Sequence, residues 1–318
     1  MTFPFPLFAK FSSLKIAFYC GILILLLFAI KWWHSPRRPT GIYEGFTQNT
    51  PFILKHNDDI YDDFYVEIYD ALTGTEKRAI YDAEQIIATT KMDTATADVL
   101  EVGCGTGVFL SKLSEKGCGC TKGIDKSPSM IAHKSPLLRK TNAVVAVADA
   151  VDDHAIFERA KFTHIVCLYM TIYEIRDKTS FFRNAAYALQ PDGFMVLHLV
   201  KGDSATAMDN FNGTINLGKP RALDESEIVN SGIHKLETDF GGFSYKRDWS
   251  DIYLLKETFT DVKTQSVRQN EMEWFFEPID AIVEQCKRCG FRLYAVVPED
   301  ISVGGFLYFF QKNGALRK

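Results

Sequence analysis

Three carboxylates, each closing a short apolar run, are the groups best placed to do chemistry on a ligand. Glu101 follows Val99 and Leu100, Asp125 follows Gly123 and Ile124, and Asp149 follows the small apolar stretch Ala143 to Ala148. Between the first two lies Gly103-Cys104-Gly105-Thr106-Gly107, with glycines at alternate positions. Such glycines let the backbone turn tightly and approach a bound group with no Cβ in the way. A carboxylate about 20 residues beyond a glycine loop is where α/β folds hydrogen-bond a ribose diol. The pattern predicts nucleoside binding without naming the nucleoside. Further along, Tyr169, Tyr173 and Glu174 follow a fourth apolar run, His164 to Leu168, and His198 lies in a fifth, Phe194 to Val200. These groups can border a second substrate. Tyr173 and His198 are the catalytic candidates, although His198 between Leu197 and Leu199 has core packing as its plain alternative.

The elements that must position these residues follow from local pattern. Val99, Leu100 and Val102 suit a buried parallel strand. Val108 to Lys116 reads as a short helix closed by Gly117. Ser127 and Pro128 supply the cap and first turn of another. A helix rich in Phe181, Phe182, Ala185, Ala186 and Leu189 precedes Gln190-Pro191-Asp192-Gly193, which turns the chain into the fifth strand. The dinucleotide fingerprint places its third glycine three positions after the second. Here that position is Val108, and the third glycine, Gly107, comes one step early.

Glu101 two residues before G-x-G-x-G, the later Asp125 and Asp149, and the phrase from Leu189 through the Pro-Gly turn to Val200 together resemble the class I S-adenosylmethionine-dependent methyltransferases. The resemblance spans roughly Asp98 to Val200. It implies a doubly wound, seven-stranded, mostly parallel sheet whose last strand inserts antiparallel, with S-adenosyl-L-methionine as cofactor. It also implies that the glycine loop wraps the amino-acid end of that cofactor and that Asp149 holds its adenine amino group. The expected cofactor set is Glu101, Gly103, Cys104, Gly105, Gly107, Asp125, Lys126, Met130, Asp149 and Ala150. The family's helix before the first strand offers Tyr65 or Tyr69 as a further contact, outside that set. Tyr173 resembles the family's variable acceptor-contact position. The Asn-Pro-Pro-aromatic tetrad of base and amide N-methyltransferases is absent there, which counts against adenine, cytosine and glutamine acceptors and leaves small molecules, lipids and protein side chains. A non-catalytic tethered binding module and a nicotinamide-dependent oxidoreductase are the competing readings. The first is opposed by the retained ligand residues, the second by the glycine spacing and by Asp149.

The N-terminus points to a membrane. Ile16 to Ile30 is uncharged, and from Phe11 to Trp33 the only charges are Lys15 and Lys31, whose stems can snorkel to the headgroups. Trp32 and Trp33 sit where an aromatic belt would be. A single-pass transmembrane helix is expected, because Ala29-Ile30-Lys31 is a poor signal-peptide cleavage site. Lys31, Arg37 and Arg38 after the segment outnumber Lys10 and Lys15 before it, which places the large domain in the cytoplasm. The expected division is residues 1–40 as anchor and linker and 41–318 as the catalytic domain. Within the latter, 96–201 form the core, 202–250 a lid or insertion, and 251–318 the C-terminal strands and helix, including a hairpin from Ile252 to Phe276.

The 318-residue chain carries a net charge of -4 and therefore no basic footprint, so nucleic acid is disfavoured as a substrate. Its seven cysteines form no secreted-type framework and suit a reducing compartment. Cys118-Gly-Cys120 and Cys286-x-x-Cys289 lack the usual spacing of a zinc site, and no metal is expected. The expected acceptor is a small or lipid-like molecule.

Overall fold

The computed structural model of the chain describes residues 22, 50–73, 75–200, 235–239, 242–251, 253–298 and 305–314. The chain divides into two units, Met1–Ile42 and Tyr43–Lys318. Apart from Ile22, which is helical, the expected membrane segment and its linker lie outside the described residues. Among the described residues no helix is long and apolar enough to cross a membrane.

In the second unit the elements begin with β1 (Phe52–His56), α1 (Asp63–Thr73), α2 (Thr75–Thr90), β2 (Asp98–Val102), α3 (Val108–Glu115), β3 (Cys120–Asp125), α4 (Pro128–Ala132) and β4 (Val144–Val147). They continue with β5 (Phe162–Cys167), α5 (Thr171–Glu174), α6 (Lys178–Ala188), β6 (Leu189–Val200), β7 (Lys235–Asp239) and β8 (Phe243–Asp251). The last are β9 (Leu254–Asp261), β10 (Val267–Glu273), α7 (Ile279–Arg288), β11 (Phe291–Pro298) and β12 (Gly305–Lys312).

Seven strands form one sheet in the order β11-β12-β6-β5-β2-β3-β4. Strands β2 to β6 pair in parallel, while β12 is antiparallel to both β6 and β11. This is the doubly wound, mixed sheet that the motifs implied. Successive residues of each central strand face opposite layers. Val99, Val166 and Val196 pack with Ala79, Ala83 and Ile86 of α2 and with Leu110 and Leu113 of α3. Leu100, Ile165, Met195 and Leu197 pack with Phe181, Phe182 and Ala185 of α6 and with Ile282 of α7. A sheet covered on both faces needs apolar side chains on both. The Pro-Gly turn before the fifth strand is a bulge: Phe162 pairs with Leu189, then His164 pairs with Phe194, leaving Gln190 to Gly193 looped out with Asp192 at φ 62°.

A second sheet of five strands, β1-β10-β9-β8-β7, stands beside α1. The expected hairpin corresponds to β9–β10 within it, but the second strand, expected around Met272 to Phe276 after a polar stretch Asp261 to Gln269, runs Val267–Glu273. Within the expected lid or insertion, 202–250, the described residues 235–239 and 242–250 are largely strands of this sheet, and 202–234, 240 and 241 lie outside the described residues. Their period of two was masked because Phe243, Tyr245 and Arg247 all face inward, and an inward arginine reads as polar in a sequence. Strand β1 was not expected at all. The single helix expected over Asp58 to Leu72 is a short 3-10 turn, Asn57–Ile60, followed by α1. Phe64 of α1 meets Phe243 and Phe259 edge-on at 5.8 and 5.3 Å, which joins the second sheet to the main core.

Candidate active site

The parallel strands end together at one edge of the main sheet, and β2, the first in sequence, has β3 on one side and β5 on the other. Such a switch in strand order opens a crevice at the carboxyl ends. A cleft of about 410 Å3 lies there, within the size range of small-molecule sites. Gly103 and Gly105 form its floor. The loop is held by the Gly103 and Cys104 amides, which donate to the Ile124 carbonyl at 2.8 and 3.0 Å. Gly103, Gly105 and Gly107 all have positive φ, 69°, 52° and 82°.

The three glycines serve different ends. A Cβ on Gly103 would stand 2.4 Å from Thr171 Cγ2, and one on Gly107 would stand 2.4 Å from Leu138 Cδ2. A Cβ on Gly105 would meet protein only at 3.8 Å, from Tyr69, and 3.9 Å, from Met130 Sδ, both residues of the cleft wall. The space above Gly105 is therefore cleft and not packed side chain.

Asp125 lies at the end of β3 with its carboxylate accepting the Gly105 amide at 2.8 Å and the Ser127 amide at 2.9 Å. Burial lifts its pKa above the usual carboxylate value, and the two amides pull against that rise. Asp149 accepts the Val151 amide at 2.6 Å and pairs with Lys126 at 2.9 Å. Its burial works toward a higher pKa, but Lys126 and that amide hold the carboxyl below its ordinary value. Met130 and Ala150 complete this wall. Ser127 caps α4 by accepting the Met130 amide, and its hydroxyl donates to the Tyr61 carbonyl at 2.6 Å, latching the segment before α1 over the cleft. Thr106 of the glycine loop donates to Asp70 of α1 at 2.9 Å, a second latch.

Of the expected cofactor residues, Gly103, Gly105, Asp125, Lys126, Met130, Asp149 and Ala150 line the cleft. Glu101, Cys104 and Gly107 do not. Glu101 is buried in β2 behind the loop, and its Oε2 has no hydrogen-bond partner among the described residues. Burial, with Asp125 and Asp82 nearby, raises its pKa well above the carboxylate range. The Cys104 side chain points into the core beneath Gly123, where a Cβ would come within 2.8 Å of its sulfur. Gly107 provides the left-handed N-cap of α3.

Neither catalytic candidate reaches the cleft. Tyr173 is 1% exposed, its ring centroid lies 4.5 Å from that of Phe276, and its hydroxyl accepts the Val200 amide at 3.1 Å. On the short helix α5, Thr171 and Glu174, three apart, share the cleft face, and Ile172 and Tyr173 turn to the core. His198 is 2% exposed, in a central strand opposite Leu307. Both corrections have one cause: a position next to a site in sequence turns inward when the element carrying it has a buried face.

Asn57, Asp58, Tyr61 and Tyr69 also line the cleft, as do Thr171, Glu174, Arg176, Asp177 and, from the end of β10, Met272 and Glu273. Of the two tyrosines offered by the helix before the first strand, Tyr69 lines the cleft, whereas Tyr65 lines a neighbouring chamber. That chamber, about 50 Å3, lies between α1 and the second sheet and shares Tyr61, Tyr69, Glu174 and Met272 with the cleft. Its far wall holds Arg247 and Glu257, paired at 3.4 Å, and Tyr245 donates to Glu257 just behind them. The cleft is acidic: among the described residues Asp58, Asp125, Asp149, Asp152, Asp177 and Glu273 line it, besides Glu174, with Lys126 and Arg176 as the only cations. Such a lining favours a positively charged ligand and repels a polyanion.

A family model described as a methyltransferase domain matches residues 76–296. Among solved structures, an S-adenosylmethionine-dependent methyltransferase from Clostridium acetobutylicum is similar at 16% identity and a TM-score of 0.55, covering 79% of this chain and 98% of that one. An amino pentose methyltransferase of calicheamicin biosynthesis from Micromonospora echinaspora, with its S-adenosylmethionine bound, is similar at 16% identity and 0.54, covering 80% and 98%. A methyltransferase from Streptomyces caelestis is similar at 13% identity and 0.57, covering 81% and 99%. No curated protein matches the chain.

Proposed function

The chain belongs to the class I S-adenosylmethionine-dependent methyltransferases, and on that premise we propose that it methylates a small or lipid-like molecule from a membrane-anchored position, with the catalytic domain on the cytoplasmic side. The observation that carries the acceptor class is the shape and charge of the site. An acidic cleft of about 410 Å3, bordered by a chamber of about 50 Å3 with which it shares four lining residues, suits a small molecule and disfavours a nucleic acid. The amino pentose enzyme among the similar structures supports the same class by analogy of fold. The uncharged run Ile16 to Ile30 and its flanking tryptophans support the anchor.

The residues present fit the cofactor. Gly105 leaves a cradle that a side chain would fill, Asp125 and Asp149 present carboxylates along one wall, and the unpartnered Glu101 oxygen lies beneath the loop. S-adenosylmethionine supplies an already activated methyl group on a positive sulfur. Asp125 would hold the ribose diol, the glycine loop the amino-acid end, and Asp149, kept ionised by Lys126, the adenine amino group. The latched segment with Tyr61 and Tyr69 would exclude water and align the acceptor, and alignment alone can remove about 7 to 11 kcal/mol of a barrier.

The experiment is a product screen: the full chain is incubated with methyl-labelled S-adenosylmethionine and separate small-molecule, lipid, protein and nucleic-acid fractions. Label in the small-molecule or lipid fraction is expected. Label confined to protein or nucleic acid would overturn the acceptor assignment and leave the family intact.

A further inference from the structure

We propose that Glu174, held by Tyr61 at the junction of the cleft and the aromatic chamber, is armed by binding of the methyl donor and then takes the proton from a hydroxyl or amine acceptor whose reacting end enters that chamber. The inference rests on the cofactor reading above. Its geometric basis is that Glu174 belongs to the walls of both cavities, together with Tyr61, Tyr69 and Met272. These four residues form the boundary between the two cavities, so a group there can face a donor in one and an acceptor in the other. The Tyr61 hydroxyl donates to Glu174 Oε1 at 2.9 Å, leaving the second carboxyl oxygen for the acceptor. Glu174 takes the proton that the acceptor's O–H or N–H loses as the acceptor's lone pair bonds to the methyl carbon. The carbon–sulfur bond breaks with both electrons passing to sulfur, which becomes a neutral thioether, and Glu174 ends as the neutral acid.

The electrostatics agree with this order of events. Burial pushes the Glu174 pKa up to about 8, Asp125 and Asp58 add to the rise, and the Tyr61 hydrogen bond and Lys126 oppose it. Tyr69 and Cys167 stand nearby as neutral groups, their own pKa values raised by burial and by Glu174. Across the chamber Arg247 is paired with Glu257, while Arg78 lies over the Tyr169 ring at 5.1 Å. Below about pH 8 the empty site therefore holds Glu174 mainly as the acid, which cannot accept a proton. A positive sulfur entering the cleft favours the carboxylate, so donor binding should release a proton and create the base.

The test is calorimetry of the full chain with S-adenosylmethionine and with S-adenosylhomocysteine, each in two buffers of different ionisation enthalpy at pH 7.5. S-adenosylhomocysteine carries the same amino-acid tail without the positive sulfur. With a pKa of about 8 in the empty site, S-adenosylmethionine should release about three-quarters of a proton more than S-adenosylhomocysteine. Its apparent affinity should fall as pH drops below 8, by up to about tenfold per unit. Glu174→Gln should bind both ligands and lose the difference. Tyr61→Phe should keep the difference and move its midpoint to higher pH. Equal proton release by the two ligands in the unmodified chain, or a difference that survives in Glu174→Gln, overturns the proposal. If neither ligand binds, the cofactor reading itself fails and takes the proposal with it.

Discussion

The three loop glycines, indistinguishable in sequence, should respond differently to alanine. All three have positive φ, so a Cβ at each introduces roughly 1 to 2 kcal/mol of backbone strain. At Gly107 the new Cβ would also lie 2.4 Å from Leu138 Cδ2 and within 3.1 Å of two further Leu138 atoms. Leu138 is buried at 3% exposure, so overpacking adds about 1 to 3 kcal/mol. Gly107→Ala should therefore destabilise the domain by about 2 to 5 kcal/mol, while any folded fraction keeps its cofactor site. Gly105→Ala meets nothing closer than 3.8 Å, and only the strain applies. Its Cβ projects into the cleft, so cofactor affinity should drop at least about tenfold, equivalent to about 1.4 kcal/mol. Gly103→Ala combines both effects, since the displaced Thr171 itself lines the cleft. Thermal unfolding and calorimetric titration with S-adenosylmethionine read the two quantities separately, at about 2 to 4 °C per kcal/mol for a large domain. The reasoning is refuted if Gly105→Ala unfolds as early as Gly107→Ala, or if it binds the cofactor as tightly as the unmodified chain.

Asp125→Ala removes a carboxylate that anchors the Gly105 and Ser127 amides and that the proposal assigns to the ribose diol, so calorimetry should show cofactor affinity weakened by at least about tenfold. Tyr173→Phe should leave cofactor affinity unchanged and destabilise the domain by about 1 to 3 kcal/mol in a denaturant titration, because the buried Val200 amide loses its acceptor. The depressed pKa of Asp149 means that its ionic pairing with Lys126 is complete at neutral pH and stabilises the fold above the unfolded carboxyl value of about 4; the contribution is lost as pH falls through the folded value, and Asp149→Asn should flatten that part of an acid-unfolding curve. Carbonate extraction should leave the full chain in the membrane pellet, whereas a form starting near Thr40 should be released to the supernatant.

Local features carried most of what was legible in the sequence. The glycine loop, Asp125, Asp149 and the Ser127 cap act within a few residues of themselves, and their spacing encodes the strand ends that bring them together. Tyr173 was misplaced because four helical residues give no periodicity from which to choose a face; the structure gives Thr171 and Glu174 to the cleft and Tyr173 to the core. His198 sits in a strand covered on both faces, where alternation conveys nothing about a site. The second sheet was obscured by its buried polar residues. Arg247, Glu257, Arg268 and Asn270 form one buried cluster: Arg268 donates to Asn270 two residues on in the same strand at 3.0 Å, Asn270 donates across to Glu257 at 3.4 Å, and Glu257 pairs across with Arg247. Such pairing depends on registers that no local pattern announces. The same distance in sequence hid Met272 and Glu273, which reach the cleft from a strand more than 160 residues beyond the glycine loop.

The most direct measurement is a pair of equilibrium titrations of the full chain, one with S-adenosylmethionine and one with NAD, repeated on Gly105→Val. The expected result is saturable one-to-one binding of S-adenosylmethionine, lost in Gly105→Val while that variant remains folded by circular dichroism, with no binding of NAD. Binding of NAD in its place, or S-adenosylmethionine binding that survives a side chain at Gly105, would contradict the assignment of this cleft as the methyl-donor site.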